Sequence, residues 1–151
     1  MTGFIKLSRK MLDWQWYRNT NTKIAFIHLL LKAAWTNGVQ DGTEVKRGQC
    51  FLSQSKLSAA VNLSPGETRT ALEHLQKTGE ISIDGNNDGS LITIQKYDTY
   101  QAMDAAWYVQ LHRKIRDWRW YRNTNTKIVF LHLLLWSSIF VTQLPKLIQS
   151  V

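Results

Sequence analysis

Residues 7–31 and 111–135 of the 151-residue chain are nearly the same passage written twice. Aligned at a constant offset of 104, 19 of the 25 positions are identical. Six differ: Ser8/His112, Met11/Ile115, Leu12/Arg116, Gln15/Arg119, Ala25/Val129 and Ile27/Leu131. Thus "DWQWYRNTNTKI" at 13–24 returns as "DWRWYRNTNTKI" at 117–128. Solenoid repeats have periods of about 20 to 50 residues and usually three or more copies. Two copies 104 apart are instead a partial domain duplication. After Leu135 the match ends, because "WSSIFVTQLPKLIQSV" has no counterpart to "KAAWTNGVQDGTEVKRG". The second copy is only the front of a domain, so its apolar helix must find cover outside a domain of its own.

The composition permits a sizeable core, with 44% hydrophobic residues and seven Trp. A net charge of +8 and a pI near 9.8 point to a polyanionic partner, either nucleic acid or an anionic membrane surface. The single cysteine, Cys50, excludes an internal disulfide framework or thiolate metal cluster and fits a reducing cytosol. The start, "MTGFIKLSRKML", has no apolar signal-peptide core. Residues 128–144 form a run of 17 without Asp, Glu, Lys or Arg, at the lower edge of spanning length. The twin segment "IAFIHLLLKAAW" carries Lys32, so a buried core helix is the expectation and no membrane partner is assigned. There is no Walker loop, no HExxH and no Gly-x-Ser-x-Gly elbow, so neither enzyme chemistry nor a cofactor is expected.

Along the first copy, "GFIKL" alternates in part and is predicted as a strand, and "SRKMLDW" as a short helix with a Ser N-cap. From about Thr22 to Trp35 the chain is apolar on nearly all sides, as a helix at the centre of a core would be. Residues 43–53 read as extended chain kinked at Gly48, and "SQSKLSAAVNLS" as a short amphipathic helix ending near Asn62. In "LSPGETRTALEHLQKTGEI", Ser64 is the N-cap, Pro65 takes the first helical position and Glu67 completes a capping box. Thr68, Ala71, Leu72 and Leu75 make the core face, and Gly79 is the stop. "EISI" and "SLITI" alternate around "DGNNDG", which supplies the residues a hairpin turn needs.

Two helices joined by "NLSP" and followed by a hairpin make the winged helix-turn-helix pattern. The expected fold is α+β: a winged helix over residues 1–101 and a connector over 102–110. A partial helical repeat of residues 7–32 follows at 111–136, then a degenerate tail at 137–151. The stretches "GFIKLSRKMLDWQWYRNTNTKIAFIHLLLKA", "VKRGQCFLS", "LSPGETRTALEHLQKTGEI" and "LITIQKYDTYQ" resemble the N-terminal winged-helix domain of phage replisome organisers and DnaD-like replication initiation proteins. The likeness covers about residues 3–101, and "RKxLDWxWY" with "RTALxxLxxTGEI" carries most of its specificity. It implies sequence-specific binding of double-stranded DNA at a replication origin, with a replication helicase or its loader as a further partner. In that family a helicase-loader-binding region usually follows the winged helix; here the partial copy stands in its place. A transcriptional regulator would share the same winged helix.

The helix from Ser64 to about Thr78 is the expected recognition helix. Gly66, Glu67, Arg69, Thr70, Glu73, His74 and Lys77 lie off its core face. Residues in the first turns of such a helix reach base edges, and Arg69 can donate two hydrogen bonds to a guanine. Thr70 suits a base or phosphate contact, whereas an Arg69–Glu73 pair at i, i+4 would be an ordinary solvated helix pair. Ser55 and Lys56 at the start of the preceding helix, with Lys46 and Arg47 on the extended segment, are candidate phosphate contacts. At the hairpin tip only Asn86 and Asn87 could reach a groove, since "DGNNDG" has no cation.

Residues 1–100 hold 12 Lys and Arg against 9 acids, and residues 101–151 hold 7 against 2. The basic excess thus lies mainly in the partial copy, which could widen a DNA-binding surface or simply have drifted where it no longer packs. The Trp14, Trp16, Tyr17 cluster and its twin Trp118, Trp120, Tyr121 read as core rather than as a stacking platform for single strands. The partial copy must bury its apolar face on its own first domain or on a neighbouring chain, giving a homo-oligomer by domain swapping. A recombination or frameshift scar is the remaining reading of the copy.

Overall fold

The computed structural model describes residues 3–86, 89–102 and 108–136. The chain is α+β, with helices around small antiparallel sheets. Strand β1 (Phe4–Ser8) leads into a 3-10 helix (Arg9–Asp13) and then α1 (Thr20–Lys32). Two short strands, β2 (Gly38–Gln40) and β3 (Thr43–Val45), form a hairpin before β4 (Gln49–Leu52). Helices α2 (Gln54–Val61) and α3 (Pro65–Lys77) follow, then β5 (Ile81–Asn86), β6 (Gly89–Ile94) and a one-turn helix α4 (Tyr97–Gln101). The second copy supplies β7 (Tyr108–His112), a 3-10 helix (Arg113–Asp117) and α5 (Thr124–Trp136).

Helix α1 is the axis of the core. Asn19 caps it by accepting from the Thr22 amide, and every residue from Thr22 to Leu31 is buried. That burial answers its apolar run: a helix hydrophobic all round is stable only when covered all round. It ends at Lys32, earlier than its apolar run suggests; Ala33 and Ala34 continue beyond it as buried extended chain, and the Ala34 amide donates to the Gln49 carbonyl.

Strands β4, β6 and β5 form a three-stranded antiparallel sheet in that order, so the first strand pairs with the last. Gly48 makes the tight entry to β4 with a φ of +82°, and a Cβ there would lie 2.9 Å from Tyr97 Cβ. The β2–β3 hairpin forms in the loop that contains "TNGVQDG". Its positive-φ residues, Asp41 and Gly42, are the turn signal in that loop, but three-residue strands with mostly exposed side chains leave no readable alternation.

Strand β1 pairs antiparallel with β7, so the front of the second copy lies directly on the front of the first. The apolar faces of both copies merge into one core with α1, α2, α3 and the sheet. On α5, Leu131, Leu134 and Leu135 are buried, while Val129, Leu133 and Trp136 are exposed.

No helix among the described residues is long and apolar enough to cross a membrane. Residues 137–144 of the apolar run lie outside the described residues.

Candidate nucleic-acid interface

Helix α3 begins as its sequence dictates. The Ser64 hydroxyl accepts from the Glu67 amide at 3.2 Å, and the Glu67 carboxylate accepts from the Ser64 amide at 2.8 Å. Pro65 follows at the first helical position, where a missing N–H costs nothing. At the other end Gly79 adopts a φ of +82° and lets the Glu80 amide reach the Leu75 carbonyl. Thr68, Ala71, Leu72 and Leu75 are buried. Thr68 is a polar member of that face because Ser58 on α2 donates to its hydroxyl at 2.7 Å, and Thr68 in turn donates to the Ser64 carbonyl. The two-helix corner is thus pinned from inside, and Asn62 at its bend takes a left-handed φ of 57°.

This packing turns Gly66, Glu67, Arg69, Thr70, Glu73 and Lys77 to the surface. Ser64 is exposed at the helix start. Arg69 and Glu73 line a groove of about 190 Å³ between α3, the start of α2 and the β5–β6 hairpin, with Ser53, Gln54 and Gln76 at its rim. The Arg69 guanidinium has no carboxylate within 4 Å among the described residues, so the i, i+4 pair with Glu73 is not formed.

His74 is the member of the expected set that turns away. Its ring stacks on Trp16 with centroids 4.2 Å apart and planes 10° from parallel, and Nδ1 is hydrogen-bonded to the Thr22 hydroxyl at 2.9 Å. It joins α3 to the scaffold because the apolar arc of α3 is wide enough to take position 74 beside Ala71 and Leu75. The partner that turns it inward, the partly buried Trp16, is remote in sequence and invisible without the fold.

The proposed phosphate contacts divide. Ser53 caps α2 by accepting from the Lys56 amide, and Ser55, hydrogen-bonded to it, is exposed at the same end. Lys56 is exposed but its ammonium sits 2.7 Å from Asp41 in the β2–β3 turn. That ammonium holds the Asp41 carboxyl below the usual carboxylate range. Arg47 is committed elsewhere: it bonds Asp98 at 2.7 Å, donates to the Trp35 carbonyl at 2.8 Å and lies over the Trp35 ring. It locks the turn before β4 to α4, at the opposite end of β4 from the groove. Lys46, on the same turn, is exposed. Register pairs Asn86 with Gly89 at the end of the β5–β6 ladder. Asn87 and the Asn86 side chain lie outside the described residues.

The first aromatic cluster is built into the scaffold, and of its twin Trp118 and Tyr121 pack on the core while Trp120, expected there too, is 41% exposed. Trp14 donates to Glu80 at 2.8 Å and Trp16 to Thr78 at 2.9 Å, tying the segment before α1 to the end of α3. Trp14 also packs on Phe26 at 5.1 Å. Cys50 is fully buried, and burial pushes its thiol up to about 12, so it packs as a small hydrophobe. The repeat twins His28 and His132 both bond tyrosines: His28, which is buried, to Tyr121, and His132, which is exposed, to Tyr17.

These elements define a small α+β protein whose most exposed polar helix face borders a groove. No protein-family model, curated protein or solved structure matches the chain.

Proposed function

We propose that residues 4–101 form a winged helix-turn-helix and that the exposed face of α3 binds double-stranded DNA. The observation that carries this reading is Arg69: an exposed guanidinium on the second turn of a well-capped helix, unpaired with any carboxylate among the described residues, at the rim of a groove. Supporting it, the helix order and the β4–β6–β5 sheet follow the pattern that presents a second helix to the major groove. Arg69 and Thr70 read base edges. Lys77, Ser55 and the amides at the start of α2 meet phosphates. Lys56 contributes by exchanging Asp41 for a phosphate. Glu67 serves the cap and Glu73 disfavours close phosphate approach on its side of the groove. A role in phage-type replication initiation rests on the resemblance of residues 3–101 to replisome organisers and DnaD-like proteins.

Titration of duplex DNA at several salt concentrations tests the interface. Affinity falls with salt, and Arg69→Ala weakens specific binding by about 1–3 kcal/mol while relaxing preference at one base position. Equal binding by the variant, or salt-independent affinity, refutes the assignment. Footprinting then separates the roles: protection of repeated sites at an origin supports replication, and protection of a promoter alone supports a transcriptional regulator.

A further inference from the structure

The two copies meet as the halves of a symmetric dimer meet. With the offset of 104, Lys6 corresponds to position 110, and in the β1–β7 ladder Lys6 pairs with Gln110 itself. The neighbours are reciprocal: Ile5 pairs with Leu111 and Leu7 with Val109, each the other's equivalent. The side chains repeat this exchange. Arg9 donates to the Leu135 carbonyl at 2.8 Å, and its twin Arg113 donates to the Leu31 carbonyl at 2.6 Å. Tyr17 bonds His132 at 2.5 Å, and His28 bonds Tyr121 at 2.5 Å. In an isologous interface residue i touches j of the mate and j touches i. Strand register, an arginine–carbonyl pair and a tyrosine–histidine pair all obey that rule about one axis through positions 6 and 110. Antiparallel pairing is reciprocal in any register, but a fragment covering an apolar face by its greasiness alone would have no reason to repeat both side-chain contacts reciprocally.

From this symmetry we infer that β1, the first 3-10 helix and α1 form a homotypic docking surface whose partner is a second copy of the same segment. Residues 108–136 fill that surface in cis as a substitute protomer. The connector is short, since α4 ends at Gln101 and β7 starts at Tyr108. Short linkers give effective concentrations of about mM, so at micromolar chain the internal copy excludes a mate by a factor on the order of 10² or more. The duplication thereby converts a self-associating module into one that is monomeric through this face. Displacing the internal copy reopens the surface to another chain, which docks β1 against β1.

The axis position gives the test. Lys6→Cys places a thiol that faces Gln110 in the closed chain and its own symmetry mate in the dimer. Cys50 is buried and stays silent in the assay. The internal copy is released in the full chain by Leu111→Asp with Leu131→Asp, both fully buried positions. Under mild oxidation the Lys6→Cys chain stays monomeric by light scattering. The released chain doubles in mass and forms the position-6 interchain disulfide at least about tenfold faster, as loss of a mM competitor requires. If the aspartates abolish the far-UV helix signal, Arg113→Ala with Tyr121→Phe provides the milder release and must raise disulfide yield over the parent. A released, folded chain that stays monomeric overturns the inference. So does an interchain disulfide that forms equally fast in parent and released chains.

Discussion

At the residue scale, the contact between the copies imposes a buried, unprotonated imidazole. His28 is 6% exposed, and burial, reinforced by Arg116, Lys127 and Lys32, lowers its pKa to about 3. In the unfolded chain it titrates near 6.5, so between pH 6.5 and 3 the unfolded state binds a proton that the folded state refuses. Stability is therefore full above pH 6.5 and falls by about 1.4 kcal/mol per unit as the solution is acidified, as an upper slope for one group. Urea unfolding at pH 7, 6 and 5 reads that slope. His28→Gln, which keeps a hydrogen-bonding group for Tyr121, flattens it; an unchanged slope would assign the acid sensitivity to other groups. Lys127 acts in the alkaline range. It is 1% exposed, its ammonium has no hydrogen-bond partner among the described residues and lies over the Tyr121 ring at 4.1 Å, and burial lowers its pKa to about 8. Its folded form gives up a proton before its unfolded form does, so stability rises from pH 8 until the tyrosines titrate. Neither residue advertises this in the sequence. His28 sits in the run "FIHLL" and Lys127 in "NTKI", where a solvated lysine at the first turn is the ordinary expectation; Tyr121 bonds His28 from the other copy, and its ring lies under the Lys127 ammonium within the same copy.

At the element scale, legibility followed whether the signal was local. Helix α3 was readable to the residue because its start and stop are written in four adjacent positions and a glycine. Ser64→Ala removes one half of the capping box and costs about 1 kcal/mol, measured as a lowered urea midpoint with unchanged m-value. No change in midpoint would mean that Glu67 and Pro65 alone hold the helix start. Helix α1 was readable as a core helix because its seven apolar residues leave no solvent face, yet beyond its C-terminus the chain is held by a long-range bond, Ala34 to Gln49, that no local pattern carries. The exposed set on α3 was legible from periodicity except at His74, where Trp16 supplies a stacking partner from another element. Likewise Arg47 and Lys56 looked like free surface cations because their carboxylate partners, Asp98 and Asp41, are remote in sequence. Charge counting finds the cations; only the fold says which are already spent.

At the scale of the whole molecule, the repeat was the loudest sequence feature, but the reciprocity of its contacts lies in three-dimensional register rather than in identity. Four of the six substitutions now sort by environment. Met11/Ile115 and Ile27/Leu131 exchange apolar residues at positions buried in both copies. Ala25 is fully buried, while Val129 is 58% exposed. Gln15 and Arg119 are both exposed, and Arg119 lies over the Trp120 ring. The arginine–carbonyl and tyrosine–histidine contacts are thus equivalent in the two copies, whereas Val129 is open where Ala25 is covered. That inequality predicts the order of opening. Helix α1 is enclosed by α3, α2, the sheet and the second copy, whereas α5 is held chiefly by the first copy and shows Leu133 and Trp136 to solvent. Local opening free energies follow the apolar contacts that must be broken. Native-state hydrogen exchange should therefore find residues 128–135 less protected than residues 24–31, despite near-identical sequence, with a smaller urea dependence because less surface is exposed when the copy lifts away. Near-identical sequence removes differences in intrinsic exchange rate at almost every position, so the comparison isolates tertiary cover. Equal protection and equal urea slopes would show that the two copies unfold as one unit, leaving no opened state through which the internal copy could yield to another chain.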